Sequence, residues 1–517
     1  MKLINFFLPR LEYIFFAAVF FGIAAGGHRL LNFDGDLPRH LLMGGLILQT
    51  RTVPTVDVFS FRTTGFPGIP HEWLSQVIFA GIYDWLGLNG VVLLTALIVM
   101  LVWMVVFREA RSQSRSLFFP LFFTALAAGA SQIHVLPRPH IFTYLLTAVW
   151  LALLERVGKK DMGKWWLFPL LMLIWVNLHG MFVLGIMLWG IYLVGSFLDS
   201  GRNPKVLLSE PANPEVELQD SIKRPGFQIL SKRKTKSMLL AGASSLIATF
   251  FSPSGAHIWE TIVSLGSNTY ITSKISEYQS ENFHLPETWL FLVLLLLTMM
   301  GFARAKNIGW THILLTVAFA FLALYTSRMI PLFAIVVAPV AAKAFAEWIR
   351  EEHPQSRFAA FEGRIARTNS SANGWVWILL VVLGTTFLFQ QGIALDAEAK
   401  GNVFDDPFFP VRAVDWLDSN PQEGHVFNEF DWGGYLLLKL WPRHQIFMDG
   451  HTHIYGEALT REYEQVVALG DGWQNVLDKY PIEWAIIHTE SGISKALQEN
   501  GWKVLYKDET AVILRRP

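Results

Sequence analysis

The chain has 517 residues, of which 52% are hydrophobic and only 16% are charged, whereas an average soluble domain has about 25% charged residues. Lysine and arginine together number 42, as do aspartate and glutamate, and this balance argues against nucleic acid as a partner. No cysteine is present, which excludes disulfides, thiolate metal sites and cysteine nucleophiles.

Apolar runs long enough to cross a bilayer recur along the chain and predict a polytopic α-helical membrane protein with about eleven transmembrane helices. The predicted spans are 11–31, 88–107, 116–133, 140–156, 164–178, 180–198, 237–253, 287–303, 309–325, 328–347 and 374–392. We interpret the first run as an uncleaved helix, because it is long for the apolar region of a signal peptide. The segment WVNLHGMF at 175–182 is also consistent with a re-entrant turn.

The distribution of lysine and arginine predicts the orientation. With a cytoplasmic N-terminus, the cytoplasmic segments contain FREARSQSR, ERVGKKDMGK, KRPGFQILSKRKTK and REEHPQSRFAAFEGRIAR, whereas the outer segments before residue 394 carry few basic residues. An excess of basic residues on the cytoplasmic side is the usual pattern. We therefore predict a multi-pass protein of the inner (plasma) membrane whose C-terminal domain is extracytoplasmic.

The chain divides into a predicted transmembrane domain at 1–393 and a small extracytoplasmic α/β domain at 394–517. The transmembrane domain has outer loops at 32–87 and 254–286. Its main cytoplasmic excursion, 199–236, is rich in proline and charge and is predicted to be a linker.

Local patterns predict the elements outside the membrane. LPRHLLMGGLILQT fits a short helix on the membrane surface, TVPTVDVFSFRTTGFPGIP is rich in turn formers, and HEWLSQVIFAGIYDWLG returns to a helical period. In the C-terminal domain the predicted strands are HVFNEF, HQIFMDG, EWAIIH, GWKVLYKD and TAVILRR, and the predicted helices are EALTREYEQVVAL and GISKALQEN. The HxH spacing in DGHTH (449–453) would suit a metal, although a loop with satisfied polar side chains is the commoner explanation.

Residues able to take part in chemistry gather on the predicted outer side. Of the ten histidines before residue 394, eight fall there: His28, His40, His71, His134, His140, His179, His257 and His284. The same side carries four acids and two arginines: Asp34, Asp36, Glu72, Glu277, Arg138 and Arg328. Cations and carboxylates that meet at one mouth of a helix bundle predict an anion-binding site with a neighbouring base.

Each of these residues also has a purely structural explanation. The acidic pair would cap the surface helix, and Glu72 would interact with the dipole of the helix that follows it. Arg138 and Arg328 would extend to lipid headgroups, and His179 would satisfy a helix end. Independent structural causes would not sort all of them to one side of the membrane, and this common placement favours a site.

The order of these motifs resembles that of the GT-C superfamily of integral-membrane glycosyltransferases, which take a sugar from a lipid-phosphate donor. The resemblance starts with Asp34 and Asp36 in a first outer loop and Glu72 later in that loop. LPRPHIFTYLL, WVNLHGMFVLG, ISEYQS and SRMIPLF look like outer-face motifs of bacterial members, and EFDWGGYLLLKLWPRHQIFMDG resembles the start of their soluble domain. Asp431-Trp432-Gly433 is similar to the Trp-Trp-Asp-Tyr-Gly signature of oligosaccharyltransferases, with Phe430 in place of the second tryptophan.

The resemblance implies transfer of a sugar from a polyprenyl-phosphate donor to an acceptor hydroxyl of a glycan, lipid or protein. Asp36 would be the general base, Glu72 would orient the acceptor or share that role, and Asp34 would complete the catalytic acids. The donor phosphate would be bound by Arg138, His140, His179 and Arg328, and the substrates by His71, Glu277, Tyr278 and Asp431. A divalent cation held by Asp34 and Asp36 would also stabilise the departing phosphate.

Two other classes of function are consistent with parts of the sequence. A transporter or lipid flippase needs polar residues within the membrane, but it favours broken helices or charges near the midplane rather than charges at one face. A non-catalytic scaffold of surface-glycan assembly would account for the C-terminal domain. It would not explain why histidines and arginines gather on the predicted outer side. No complete GxxxxGK[ST] motif for binding a nucleotide is present, since the single GxxxxGK match, at 158–164, is followed by Trp165, and this favours a lipid-linked donor.

Overall fold

A computed structural model of the chain describes residues 7–159, 164–201, 232–396 and 400–517. Most of the predicted linker at 199–236 therefore lies outside the described residues. The described part is mainly helical, with one small sheet near the C-terminus.

The helices of the predicted transmembrane domain are α1 Leu11–Ala25, α2 Gly27–Asn32, α3 Leu37–Thr50, α4 Trp73–Ser114, α5 Phe118–Ala130, α6 His140–Lys159, α7 Leu167–Leu178, α8 Val183–Gly201, α9 Lys232–Ala248, α10 His257–Ser267, α11 Thr269–Lys274, α12 Trp289–Arg304, α13 Trp310–Tyr325, α14 Ile330–Glu352, α15 Arg357–Ser371 and α16 Val376–Gln390. Every predicted span overlaps one of these helices. The predicted helical membrane architecture is thus confirmed in outline.

The number of spans stays a prediction. Within the described ranges, four helices are long and apolar enough to cross a bilayer: Trp73–Ser114, Gly180–Ser200, Pro286–Arg304 and Ser327–Glu352. The pair α15 and α16, bent by 69°, would be a fifth if it counts as one span. Several other apolar helices have only 10–17 residues and are shorter than the roughly 20 residues that a hydrocarbon core requires.

Helix α4 joins an outer helical segment to a predicted span. Its backbone breaks at Gly87, where φ is +62° and ψ is −156°, a conformation that glycine adopts without a Cβ clash. The break separates the predicted outer helix around HEWLSQVIFAGIYDWLG from the predicted span at 88–107. The division seen in the sequence is therefore present as a kink within one long helix.

Helix α14 forms the centre of the bundle. It packs against α4, α5, α12 and α13, and nearly all of its residues up to Ala346 are buried. Its sequence, IPLFAIVVAPVAAKAFA, is apolar all round and rich in alanine and valine, as expected for a helix with neighbours on every side. The residues just before α14, including Arg328, are consequently held in a fixed position at one end of the bundle.

The C-terminal part contains helices α17 Val411–Ser419, α18 Gly433–Leu440, α19 Thr452–Val467, α20 Trp473–Lys479 and α21 Gly492–Glu499, and strands β1 His425–Asn428, β2 Ile482–His488, β3 Lys503–Lys507 and β4 Ala511–Arg515. The strand order is β1-β2-β4-β3, with β1 and β2 parallel and the other pairs antiparallel. The central strand β2 carries the buried run Trp484 to Ile487. This sheet agrees with four of the five predicted strands.

The predicted strand HQIFMDG is wrong. The segment pairs through a single bridge, between Ile446 and Ser60, instead of joining the sheet. The side-chain oxygen of Asn428 accepts hydrogen bonds from the backbone N–H groups of Phe447, at 2.9 Å, and Met448, at 3.4 Å. The side-chain amide of Asn428 thus accepts hydrogen bonds that a neighbouring strand would accept in a sheet. An apolar sequence pattern alone cannot reveal this pairing.

A buried ion pair joins the C-terminal domain to α3. The Nε of Arg39 donates to Oδ2 of Asp449 at 2.6 Å, and the two side chains are 4% and 1% exposed. The Nη2 of Arg39 also lies 2.7 Å from Nδ1 of His451. Helix α3 packs between α4 and α18, so the predicted surface helix is covered by the C-terminal domain on one side.

We predict that Asp449→Ala destabilises the protein by about 3–5 kcal/mol, because it removes the hydrogen-bonded carboxylate of the buried Arg39 and leaves only Asp57, whose Oδ1 is 4.0 Å from Nη2. The double variant Arg39→Met with Asp449→Leu should recover most of this loss. The matched control is Asp418→Ala, which removes an exposed pair with Arg443 and should cost at most about 1 kcal/mol. The unfolding midpoint measured in detergent checks the ranking, and equal effects of the two alanine variants would contradict it.

The predicted orientation is testable because the chain has no cysteine. Single cysteines at the exposed positions Thr55, Ser267 and Glu490 should react with a membrane-impermeant maleimide in spheroplasts. A cysteine at the exposed Gln355, at the opposite end of the bundle, should react only after the membrane is permeabilised. Labelling at 355 without labelling at 267 would reverse the orientation.

Candidate active site

The acidic loop Phe33–Asp36 connects α2 to α3. Asp36 occupies the N-cap position of α3, but its side chain makes no capping hydrogen bond. Oδ1 of Asp34 instead accepts the backbone N–H of Asp36 at 3.0 Å, which closes a local turn. The carboxylate of Asp36 is thereby left to interact with other groups, contrary to a purely capping role.

This loop packs directly on the C-terminal domain. A Cβ on Gly35 would lie 2.8 Å from the carbonyl oxygen of Asp431, and a Cβ on Gly450 would lie 2.0 Å from Oδ1 of Asp36. A Cβ on Gly434 would lie 2.5 Å from the carbonyl oxygen of Gly35. Glycine is needed at 35 and 434 because backbone atoms approach too closely for a side chain, and a side chain at 450 would displace the carboxylate of Asp36.

Arg138 gathers three carboxylates from two outer loops. Its Nε donates to Oδ1 of Asp34 at 2.6 Å, and its Nη1 lies 3.1 Å from Oδ2 of Asp36 and 2.7 Å from Oε1 of Glu277. Burial opposes the charge of Arg138, but the three carboxylates prevail and raise its pKa, so the group remains a cation.

The two acids of the loop differ in environment. Asp34 is completely buried, and burial raises its pKa to about 6 even though Arg138 acts in the opposite direction. Oδ2 of Asp34 is a buried oxygen without a hydrogen-bond partner among the described residues. Asp36 is one-third exposed and lines the cavity. Asp36 is thus the member of the pair that a substrate can reach.

Glu72 lies between two histidines at the N-terminus of α4. Its Oε1 is 3.3 Å from Nε2 of His179 and 3.7 Å from Nε2 of His71. Burial, followed by the charge of Asp36, raises the pKa of Glu72 to about 7. A carboxyl group with this pKa exchanges a proton readily near neutral pH.

His179 is oriented by hydrogen bonds from the helices around it. Nε1 of Trp175 donates to Oγ1 of Thr143 at 2.8 Å, and that hydroxyl lies 2.9 Å from Nδ1 of His179. If the hydroxyl donates to Nδ1, a neutral His179 carries its proton on Nε2, towards Glu72. The pattern fixes which nitrogen of His179 faces the cavity.

Arg328 has a different environment from Arg138. Its guanidinium lies 4.6 Å from the ring centroid of Tyr278, and within the described ranges no carboxylate is within 4 Å of it. The neighbouring Ser327 donates its backbone N–H to the carbonyl oxygen of Gln279 at 2.9 Å, and Thr326 Oγ1 donates to the carbonyl oxygen of Glu277 at 2.7 Å. These two hydrogen bonds hold the loop that carries Glu277 and Tyr278 next to Arg328.

A cavity of about 1480 Å³ brings the predicted site residues together. Ten of them line it: Asp36, His71, Glu72, Arg138, His140, His179, Glu277, Tyr278, Arg328 and Asp431. Asp34 is not a lining residue. It lies behind Asp36 and is bound to Arg138, which lines the cavity. The volume exceeds the 300–1,000 Å³ of a typical small-molecule pocket.

Not every predicted residue has a free functional group. His140 has its Nε2 3.0 Å from the carbonyl oxygen of His134, so that nitrogen donates to the backbone. Four outer histidines are not among the lining residues: His28 near Asp405, His134 beside Ser327, His257 beside Glu260, and the exposed His284. His312 contacts Glu155 at the other end of α6, as the predicted sidedness requires.

Metal binding was predicted at two places. Among the described residues, no group of three or more histidines, aspartates and glutamates is arranged to hold a metal ion. In DGHTH, Nδ1 of His451 accepts from Arg39, so this nitrogen is not available as a ligand. A magnesium-like ion needs only one or two carboxylates beside substrate phosphate, and Asp34 and Asp36 fit that smaller requirement.

The sequence did not single out Arg39 and Asp449, and the histidines of DGHTH were noted without a role. These four residues are Arg39, Asp449, His451 and His453, and each is buried or half-buried. All of them except Asp449 line the cavity. The only local signal is an arginine inside the apolar run LPRHLLMGGL. Its partner lies 410 positions later, so no local pattern identifies it.

No protein-family model matches the chain, and no curated protein matches it. Among solved structures, the apo oligosaccharyltransferase of Archaeoglobus fulgidus is 12% identical, with a TM-score of 0.56 over 92% of this chain and 70% of that chain. ArnT from Cupriavidus metallidurans covers 97% of both chains, at 15% identity and a TM-score of 0.48 when bound to undecaprenyl phosphate, and at 14% and 0.43 in the apo state. The chain has a GT-C-like fold, as its motifs indicated.

Proposed function

We propose that this protein transfers a sugar from a polyprenyl-phosphate donor to an acceptor hydroxyl on the extracytoplasmic side of the membrane. The observation that carries the proposal is the division of charge in the cavity. Three acids are bound to Arg138, whereas Arg328 has no carboxylate within 4 Å in the described part of the chain. Such a site offers a base for a hydroxyl and a cation for a phosphate.

Asp36 is the proposed general base. It takes the proton of the acceptor hydroxyl as that oxygen forms a bond to the anomeric carbon. The bond from this carbon to the phosphate oxygen breaks, and the polyprenyl phosphate leaves with the electron pair. Asp34 and Arg138 position Asp36, through the turn hydrogen bond and the ion pair described above.

Arg328 is the proposed ligand of the departing phosphate. A guanidinium forms paired hydrogen bonds with phosphate oxygens and stabilises the charge that develops on them. Arg138 has less capacity for this role than the sequence implied, because two of its nitrogens already bind carboxylates. His179 and Glu72 would orient the acceptor next to Asp36.

The proposed donor is a lipid because one wall of the cavity is apolar. That wall contains Val183, Leu184, Met187, Ile262, Leu322 and Met329. Nucleotide sugars are made in the cytoplasm, on the other side of the membrane from the predicted site. A polyprenyl carrier solves this supply problem, and its tail can enter from the bilayer.

A divalent cation is a further proposed component. Oδ2 of Asp34 has no partner in the described residues, and Asp36 is accessible, so the two carboxylates would hold a magnesium- or manganese-like ion together with the donor phosphate. Such an ion would stabilise negative charge on the leaving phosphate. The proposed roles of Asp36 and Arg328 do not depend on it.

We predict that Asp36→Asn lowers the rate of transfer by about 10²–10⁴-fold, because an amide cannot accept the proton. The matched control is Asp405→Asn, which changes an acid at the same end that does not line the cavity. The assay follows release of free polyprenyl phosphate from a polyprenyl-phosphate-sugar extract when an acceptor extract is added. Full activity of Asp36→Asn would show that this acid only supports the local turn.

We also predict that Arg328→Lys raises the KM for the donor by about 10-fold although the charge is kept, because an ammonium cannot form the paired hydrogen bonds. Arg304→Lys, an exposed change at the opposite end of the bundle, should leave the KM unchanged. Turnover of a nucleotide sugar by lipid-free protein would contradict the proposed donor.

A further inference from the structure

The DGHTH segment lies beside the catalytic acids. The ring centroids of His451 and His453 are 3.8 Å apart, and the His453 ring is 5.6 Å from that of His71. All three histidines line the cavity, and His71 is followed directly by Glu72. A row of imidazoles therefore extends from the candidate acids to the buried pair of Arg39 and Asp449.

These imidazoles have free hydrogen-bonding capacity. Nδ1 of His71 is buried without a hydrogen-bond partner, and the described residues provide none for the ring nitrogens of His453. Arg39 donates to Nδ1 of His451, which leaves the proton of a neutral His451 on Nε2. A buried polar atom without a partner, such as Nδ1 of His71, is costly in a folded protein, so its retention beside a cavity points to a ligand.

The row carries little charge of its own. Burial, and then the nearby Arg39, lowers the pKa of His71 to about 4, and burial lowers the pKa of His451 and His453 as well. The cation of Arg39 is compensated by Asp449 and, at 4.0 Å, by Asp57. Neutral imidazoles both donate and accept hydrogen bonds, as hydroxyl groups do.

The cations near the row are already paired: Arg39 with Asp449 and Arg138 with Asp34, Asp36 and Glu277. Asp36, Glu72 and Asp431 line the adjoining part of the cavity, whereas Arg328 lies beside Tyr278 on another loop. Burial and the charge of Asp36 raise the pKa of Asp431, which indicates mutual repulsion between the two acids. Among the described residues, the row therefore offers an anionic acceptor no unpaired cation that would compensate the loss of its hydration.

We propose that His71, His451 and His453 form an acceptor subsite that binds an uncharged, polyhydroxylated group, namely a neutral saccharide. This proposal rests on the proposed function, since it assigns the acceptor to the histidine side and the donor phosphate to the Arg328 side. The ring nitrogens bind the acceptor hydroxyls and present one of them to Asp36 and Glu72. His71 and His453 are specificity-determining residues in this arrangement.

The probes are maltotriose, a neutral trisaccharide, and trigalacturonic acid, its anionic counterpart. Full-length protein in lipid nanodiscs is titrated with each probe, and binding is measured by ligand-observed saturation-transfer NMR. Wild-type protein should bind maltotriose, and trigalacturonic acid should bind at least about 10-fold more weakly. Equal binding of the two probes, or no binding of maltotriose, would overturn the proposal.

The variants His71→Phe and His453→Phe keep a ring and remove its nitrogens, and each should weaken maltotriose binding by about 10-fold. His453→Gln restores a donor and an acceptor and should lie between His453→Phe and wild type. The exposed His284→Phe is the control and should bind as wild type does. Unchanged binding by His453→Phe with an unaltered unfolding midpoint would overturn the assignment.

Donor turnover separates the two proposals. If the wild type releases polyprenyl phosphate but the histidine variants bind maltotriose normally, the acceptor subsite is wrong and the transferase stands. If maltotriose binds as predicted but no donor is consumed with any acceptor, the transferase is wrong and the histidines form a saccharide-binding site.

Discussion

The ion pairs of Arg138 are the interaction on which the candidate site depends. A guanidinium that is largely removed from water needs carboxylates and hydrogen bonds to compensate its charge, and here three acids do so. Two come from the loop before α3 and one from the loop after α11, so a single cation fixes two outer loops relative to each other. Arg138 is already neutralised, whereas Arg328 has no carboxylate within 4 Å in the described part of the chain and is available to an anionic substrate.

The C-terminal domain forms a wall of the site rather than a separate module. Glycines at 35, 434 and 450 allow its backbone to approach the acidic loop, and the Arg39–Asp449 pair secures the same contact. It also brings His451 and His453 next to His71. The geometry around the proposed base therefore depends on both halves of the chain.

The sequence predicted the features that depend on local patterns. Apolar runs located the helices, and the order of short polar motifs identified the residues that line the cavity. It did not predict which groups pair: neither the three partners of Arg138 nor the link between Arg39 and Asp449 follows from periodicity. HQIFMDG was predicted to be a strand because of its apolar residues, which are indeed buried. Its backbone N–H groups at Phe447 and Met448, however, donate to the side chain of Asn428 instead of to a strand. Long-range pairing of polar groups cannot be predicted from sequence periodicity and is seen only in the folded structure.

The central claim is that the cavity binds a lipid phosphate at Arg328 while the acids remain on Arg138. An experimental structure of the protein in nanodiscs with added polyprenyl phosphate tests it most directly. The account predicts phosphate density within hydrogen-bonding distance of the Arg328 guanidinium, with the isoprenoid chain along the apolar wall and with Asp34, Asp36 and Glu277 still bound to Arg138. Phosphate bound to Arg138 in place of the carboxylates, or lipid bound only outside the cavity, would contradict it.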